Sequence, residues 1–170
     1  MTTGDYLPGY AKWRASGRFP AFVRREALHE AAHAIIAEAL DAPVLFVTLG
    51  ARRDSEYSHP LTRHVEPSYQ VWRRHERVAI VALAGHAADG RDWRRVRDAE
   101  GCGDRAGARE AAERVTDTRA ERDALLDHLW AVARWLVKRN RRAIDRLAAE
   151  LLAEETITGA RVRAILEAVE

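Results

Sequence analysis

Two histidines, His29 and His33, stand four residues apart, and a glutamate, Glu30, directly follows the first. They lie in the run LHEAAHAIIAEAL, Leu28 to Leu40, which is otherwise almost wholly Ala, Ile and Leu. At 3.6 residues per turn, positions four apart share one helix face, one turn apart. Two imidazole nitrogens so placed can reach a single Zn²⁺ at about 2.0–2.1 Å. Glu30 falls about 100° round the same helix, too far to be the natural third ligand but close enough to hold a metal-bound water. With 7 histidines in 170 residues, H-E-x-x-H arises by chance only about 0.02 times. The competing reading is a helix with two part-exposed histidines and a surface glutamate. The apolar flanks Ala27, Leu28, Ala31, Ala32, Ala34, Ile35 and Ile36 argue against it, because they bury the helix. Buried polar groups are costly unless something satisfies them. An extended H-E-x-x-H-x-x-G-x-x-H would need glycine at position 36 and histidine at 39; Ile36 and Ala39 stand there, which excludes that subclass.

The elements that would position these groups can be read from breakers and periodicity. Residues 1–20, with Gly4, Pro8, Gly9, Gly17 and Pro20, read as an irregular arm whose aromatics dock on the body. The domain proper then covers 21–170. A buried helix spans Ala21 to Leu40 and stops at Asp41-Ala42-Pro43, because a residue before proline avoids the helical region. Val44 to Leu49 is β-branched and aromatic and reads as a strand, with one or two partners expected from 51–66. Ser68 is placed to cap a helix reaching Ala88, followed by a charged connector over 89–103. Asp104 opens a helix through Val115. Arg119 to Asn140 and Arg141 to Glu154 form one long helix or two, and Thr158 caps a last one ending near Val169. The fold class is mainly α, with a small β element next to the active-site helix.

Composition narrows the function classes. The net charge is only +2 despite a pI near 9.0, and the basic residues, nearly all Arg, are interleaved with acids. That pattern speaks against a nucleic-acid partner. Cys102 is the single cysteine, so there is no internal disulfide and no multi-cysteine zinc site. The N-terminus has no apolar core of a signal peptide, and no apolar run approaches the roughly 20 residues of a membrane span. The expectation is a cytoplasmic protein without membrane insertion.

Beyond the pentapeptide, LHEAAHAIIAEAL followed by VLFVTL resembles the zinc peptidase domain of the FtsH family of ATP-dependent proteases, where an H-E-A-G-H helix precedes a V-x-x-V-T-I strand. Leu83-Ala84-Gly85-His86-Ala87-Ala88-Asp89 is similar to that family's L-x-G-R-x-A-E. The stretch from Gly101 to Ala108 is similar to its G-A-x-x-D, whose aspartate is the third zinc ligand. LAAELLAEETITGARVRAIL resembles its closing segment. Four segments in the right order cover about residues 24–168.

The resemblance implies His29, His33 and Asp104 as zinc ligands and Glu30 as catalytic base. It implies a zinc-dependent endopeptidase acting on unfolded or loosely structured polypeptides, with Glu30 activating a zinc-bound water. Read from its own neighbours, Asp104 has a second role open to it: Gly-Asp ahead of an Ala-rich run is also a helix N-cap. Cys102 as a thiolate ligand is a further alternative. Ala32 replaces the family's usual glycine, His86 its arginine and Asp89 its glutamate. Asp89 either contacts a ligand histidine or simply ends a helix. His59, His64, His75 and His128 are expected on the surface. Only some 20 residues precede the active-site helix and no G-x-x-x-x-G-K-[ST] occurs. The peptidase domain is therefore expected to stand alone, with any ATPase a separate partner. The strand over 44–49 is expected to receive an extended peptide at its edge. The alternative function is a catalytically silent module that binds protein or zinc.

Overall fold

The computed structural model describes residues 10–49, 61–64, 71–93 and 103–169. Within them lie seven helices: α1 (Tyr10–Ser16), α2 (Ala21–Ala39), α3 (Val71–Ala88), α4 (Asp104–Glu113), α5 (Arg119–Arg139), α6 (Arg141–Glu154) and α7 (Gly159–Glu167). Three strands, β1 (Val44–Thr48), β2 (Leu61–His64) and β3 (Thr156–Thr158), complete them. The fold is mainly α with one small antiparallel sheet, as the sequence predicts. The expectations resting on residues 1–9, His59, Ser68 and Cys102 lie outside the described residues.

Helix α2 is the centre of the molecule. Every residue from His29 to Ala37 is buried, so the helix turns no face to solvent over that stretch. It packs against α3, α6, α7 and the sheet. Its small side chains let those neighbours come close, while Ile35 and Ile36 fill the space beyond them. Burying a side chain of that size contributes about 1.5–3 kcal/mol. The helix ends where expected. Asp41 takes a left-handed backbone (φ 55°), and Ala42 N–H returns to the Ala37 carbonyl at 2.9 Å, closing the last turn.

The arm expected to be irregular contains helix α1. Gly17 (φ 65°) terminates it, its N–H donating to the Arg14 carbonyl and the Arg18 N–H to that of Trp13, and Trp13 meets Phe22 edge-on at 5.8 Å. Gly17, one of the residues that made the arm read as irregular, is thus a helix stop.

The sheet order is β2-β1-β3. The expected partner from 51–66 is β2, whereas the second partner, β3, comes from the far end of the chain. β1 is therefore central, with both edges paired, and cannot receive a peptide at its edge. That expectation is corrected: the outer edges belong to β2 and β3. Gly159 sits where α7 meets β1, and an added Cβ there would fall 1.7 Å from the Val44 carbonyl oxygen.

The long apolar run after Arg119 divides into two helices at Asn140. α5 begins at a full capping box between Thr118 and Glu121, and Thr158 caps α7 through the Arg161 N–H. No described helix is long and apolar enough to cross a membrane.

Candidate metal centre

α2 presents His29 and His33 on one face, and α3 and the start of α4 close over them. Oδ2 of Asp104 lies 2.9 Å from His29 Nε2 and 3.2 Å from His33 Nε2, although 71 residues separate Asp104 from His33. The ring centroids of His29 and His33 are 4.6 Å apart. His33 Nδ1 donates to the Val81 carbonyl on α3 at 2.7 Å, which leaves Nε2 as the ring nitrogen that faces Asp104. His29, His33 and Asp104 thus offer three ligand atoms within 4.8 Å of one another.

The capping alternative for Asp104 does not hold. Gly103, which has no side chain to cap with, occupies the N-cap position of α4, and Asp104 is its first residue. Its carboxylate turns to the two imidazoles instead. The position still suits it, since a helix N-terminus stabilises negative charge.

Glu30, next along the helix, is buried, with Oε2 3.1 Å from the Thr62 hydroxyl on β2. It makes no ion pair with Asp104's pair of imidazoles. Burial pushes the Glu30 carboxyl upward, against the pull of His33 and His29. A buried carboxyl with a raised proton affinity is suited to exchanging protons near neutral pH.

Gly85 on α3 faces the imidazoles directly. A Cβ built there would stand 2.5 Å from His33 Nε2 and 2.6 Å from His29 Nε2. Only a residue without a side chain leaves these nitrogens in place. Neither Gly85 nor Thr62 is identifiable as a site residue from local pattern, although Gly85 falls in the L-x-G segment of the resemblance. The two possibilities for Asp89 are both realised. Its N–H ends α3 on the Gly85 carbonyl at 3.0 Å, and its carboxylate lies 3.4 Å from His29 Nδ1. His86 is buried beside His29, ring centroids 4.9 Å apart, and its Nδ1 has no hydrogen-bond partner among the described residues. Of the histidines expected on the surface, His128 is exposed and His75 half-buried; His64 lies in β2.

The electrostatics follow from this crowding. Burial opposes charge on His29, but the Asp104 and Asp89 carboxylates outweigh it and raise the imidazole to about 10. Burial likewise opposes charge on His33, and Asp104 again prevails and raises it. Burial would raise Asp104, yet the neighbouring His33 and His29 hold it well below the usual carboxylate range. His86, buried and next to His29, is lowered to about 4. The cluster is thus a buried trap for positive charge.

Two imidazole nitrogens and one carboxylate oxygen form the donor set of a three-ligand zinc site. The His33–Val81 bond is the outer support that a metal-binding histidine needs. The cradle at Gly85, which a methyl group would fill, leaves these ligand atoms unobstructed. The residues present fit the ion. A scan against protein-family models finds no match for the chain, and a search of curated proteins finds no similar sequence.

Proposed function

We propose that the protein is a zinc-dependent metalloendopeptidase acting on unfolded or loosely structured polypeptides. The observation that carries this reading is the convergence of His29, His33 and Asp104 beside a buried carboxylate, Glu30, that is not among the three ligands. A purely structural zinc site has no use for such a group. When bound, zinc supplies a Lewis acid that lowers the pKa of a coordinated water toward about 7 and polarises a carbonyl.

Glu30 accepts a proton from the attacking water as its oxygen adds to the scissile carbonyl carbon. As the C–N bond breaks, Glu30 returns that proton to the departing nitrogen. Thr62 orients the carboxylate by hydrogen bonding, and its strand, β2, places a sheet edge beside Glu30. Among the described residues β2 is paired on one side only, by β1. An extended peptide added at that free side would bind through main-chain hydrogen bonds, which give affinity with little sequence selectivity.

An extended substrate must first be free of its own helices and sheets. Global unfolding of a native domain costs about 5–15 kcal/mol. The 170 residues contain no phosphate-binding loop motif, so a separate ATPase would have to supply that work for folded substrates. The test compares cleavage of a stable domain with cleavage of a destabilised variant of it, with and without chelator. The zinc-loaded protein should cleave the destabilised form alone and lose that activity with chelator. Rapid chelator-insensitive cleavage, or equal cleavage within the stable core, would contradict the reading.

A further inference from the structure

We propose that Asp89 and Arg91 form a clamp that positions His29, making both residues determinants of metal affinity although neither belongs to the three-ligand set. The inference rests on the metal reading of His29, His33 and Asp104.

The clamp is built by the way α3 ends. Asp89 N–H bonds to the Gly85 carbonyl at 3.0 Å, so the helix runs on to the residue whose side chain faces His29. Gly90 then turns the chain through a left-handed backbone (φ 76°) that side-chain-bearing residues rarely adopt. Arg91 N–H returns to the His86 carbonyl at 3.2 Å, the closing bond of a Schellman turn. This reversal brings Arg91 back over Asp89. Its Nε donates to Asp89 Oδ2 at 2.8 Å, and its main-chain N–H donates to Oδ1 at 3.2 Å.

Both carboxylate oxygens are therefore held from the outer side. On the inner side, Oδ2 faces His29 Nδ1 at 3.4 Å. The Asp89 side chain is 1% exposed, so it has little freedom to point elsewhere. A carboxylate at Nδ1 fixes the ring's rotation and keeps Nε2 turned toward Asp104. Nδ1–H···Oδ2 is also how a ligand imidazole gains basicity.

The same residues offer a competing use. His29, His86 and Asp89 also bring three ligand atoms within 4.8 Å of one another. The Arg91 guanidinium already supplies Asp89 with the positive charge that a second cation would bring, so the clamp is favoured. A second bound metal is an outcome that the experiment reads.

The experiment measures zinc affinity by competition with a chromophoric chelator, zinc stoichiometry, the visible spectrum of the Co²⁺ form, and melting of the metal-free protein. The full chain is used as wild type, Asp89→Ala and Arg91→Ala. Asp89→Ala should weaken zinc about 10- to 100-fold and shift the Co²⁺ bands. Arg91→Ala should move affinity and spectrum in the same direction by less. Its metal-free form should stay folded but melt somewhat lower, because the arginine is 41% exposed while the Asp89 carboxylate that loses it is 1% exposed. A merely structural salt bridge would leave the affinity and the Co²⁺ bands of Arg91→Ala unmoved, and that result would overturn the clamp. So would wild-type zinc affinity in a folded Asp89→Ala, or two zinc ions per wild-type chain. Failure of the wild type to bind zinc at all would instead overturn the metal reading, and this inference with it.

Discussion

The hydroxyl of Thr62 lies 3.1 Å from Oε2 of Glu30 and 3.0 Å from the main-chain carbonyl of the same residue. One residue of β2 thereby ties the sheet to the residue that follows His29 on the helix. The sheet is small, but it abuts the site.

Removing that hydroxyl should affect the proposed chemistry more than the metal. A hydrogen bond to a charged group contributes about 1.5–3 kcal/mol, so Thr62→Val should slow peptide cleavage by roughly tenfold or more. Zinc content should be unchanged. The bond favours the carboxylate, so its loss raises Glu30 further. The base works only when deprotonated, and the acid limb of the pH–rate profile should move to higher pH. Steady-state rates between pH 5 and 8 check this; an unmoved limb would separate Thr62 from the base.

Gly85→Ala should abolish metal binding. The new methyl carbon would stand within 2.6 Å of nitrogens of both ligand histidines, and α3 has no room to withdraw without breaking the Val81–His33 bond. Elemental analysis of the purified variant should find a small fraction of the wild-type zinc. Overpacking of this kind costs about 1–3 kcal/mol, so the fold should survive at reduced melting temperature. Full zinc occupancy in Gly85→Ala would show that the cradle yields.

Gly159→Ala separates general destabilisation from damage to the site. Its Cβ would collide with the main chain of Val44, on the side of the sheet where α7 docks. The expected cost is about 3 kcal/mol, at the upper end of the overpacking range. Denaturant unfolding of the metal-free protein measures it. At temperatures where the variant remains folded, zinc affinity should match wild type.

Metal uptake should release protons. Metal-free His29 is raised to about 10 and so holds its proton at neutral pH, and Asp104 raises His33 in the same direction, whereas ligation requires the neutral imidazole. Affinity should therefore climb as pH rises through the neutral range, by up to about tenfold per pH unit for each proton displaced. Calorimetric titration in two buffers of different ionisation enthalpy counts those protons. A heat independent of the buffer would contradict the charge state of the metal-free cluster.

Much of this centre is legible in the chain itself, for reasons that differ residue by residue. His29, Glu30 and His33 show because their geometry is intrahelical: the period of the helix alone sets it. The burial of α2 follows from its Ala and Ile flanks. Asp104 is harder, since its neighbours read as a helix cap and only the resemblance assigned it to the metal. Tertiary packing puts Gly103 at the cap and the carboxylate at the imidazoles. Thr62 and the cradle at Gly85 depend on how strands and helices approach one another, which no local pattern encodes. β3 escapes for another reason: three residues, Thr156 to Thr158, are too few for alternation to show, and Thr158 carries a helix-cap signal at the same time. β1 was legible as a strand, but its central place in the sheet was not, because its second partner arrives from the other end of the chain.

The central claim is that Glu30 is the base beside a zinc held by His29, His33 and Asp104. The most direct measurement is the rate at which zinc-loaded wild type and Glu30→Gln, matched for zinc content and melting temperature, cleave the same unfolded polypeptide. The exchange of carboxylate for amide removes only the proton acceptor. Wild type should cleave, and Glu30→Gln should be slower by about 10²- to 10⁴-fold with its zinc intact. Equal rates in the two proteins, or no cleavage by wild type carrying one zinc per chain, would contradict the account.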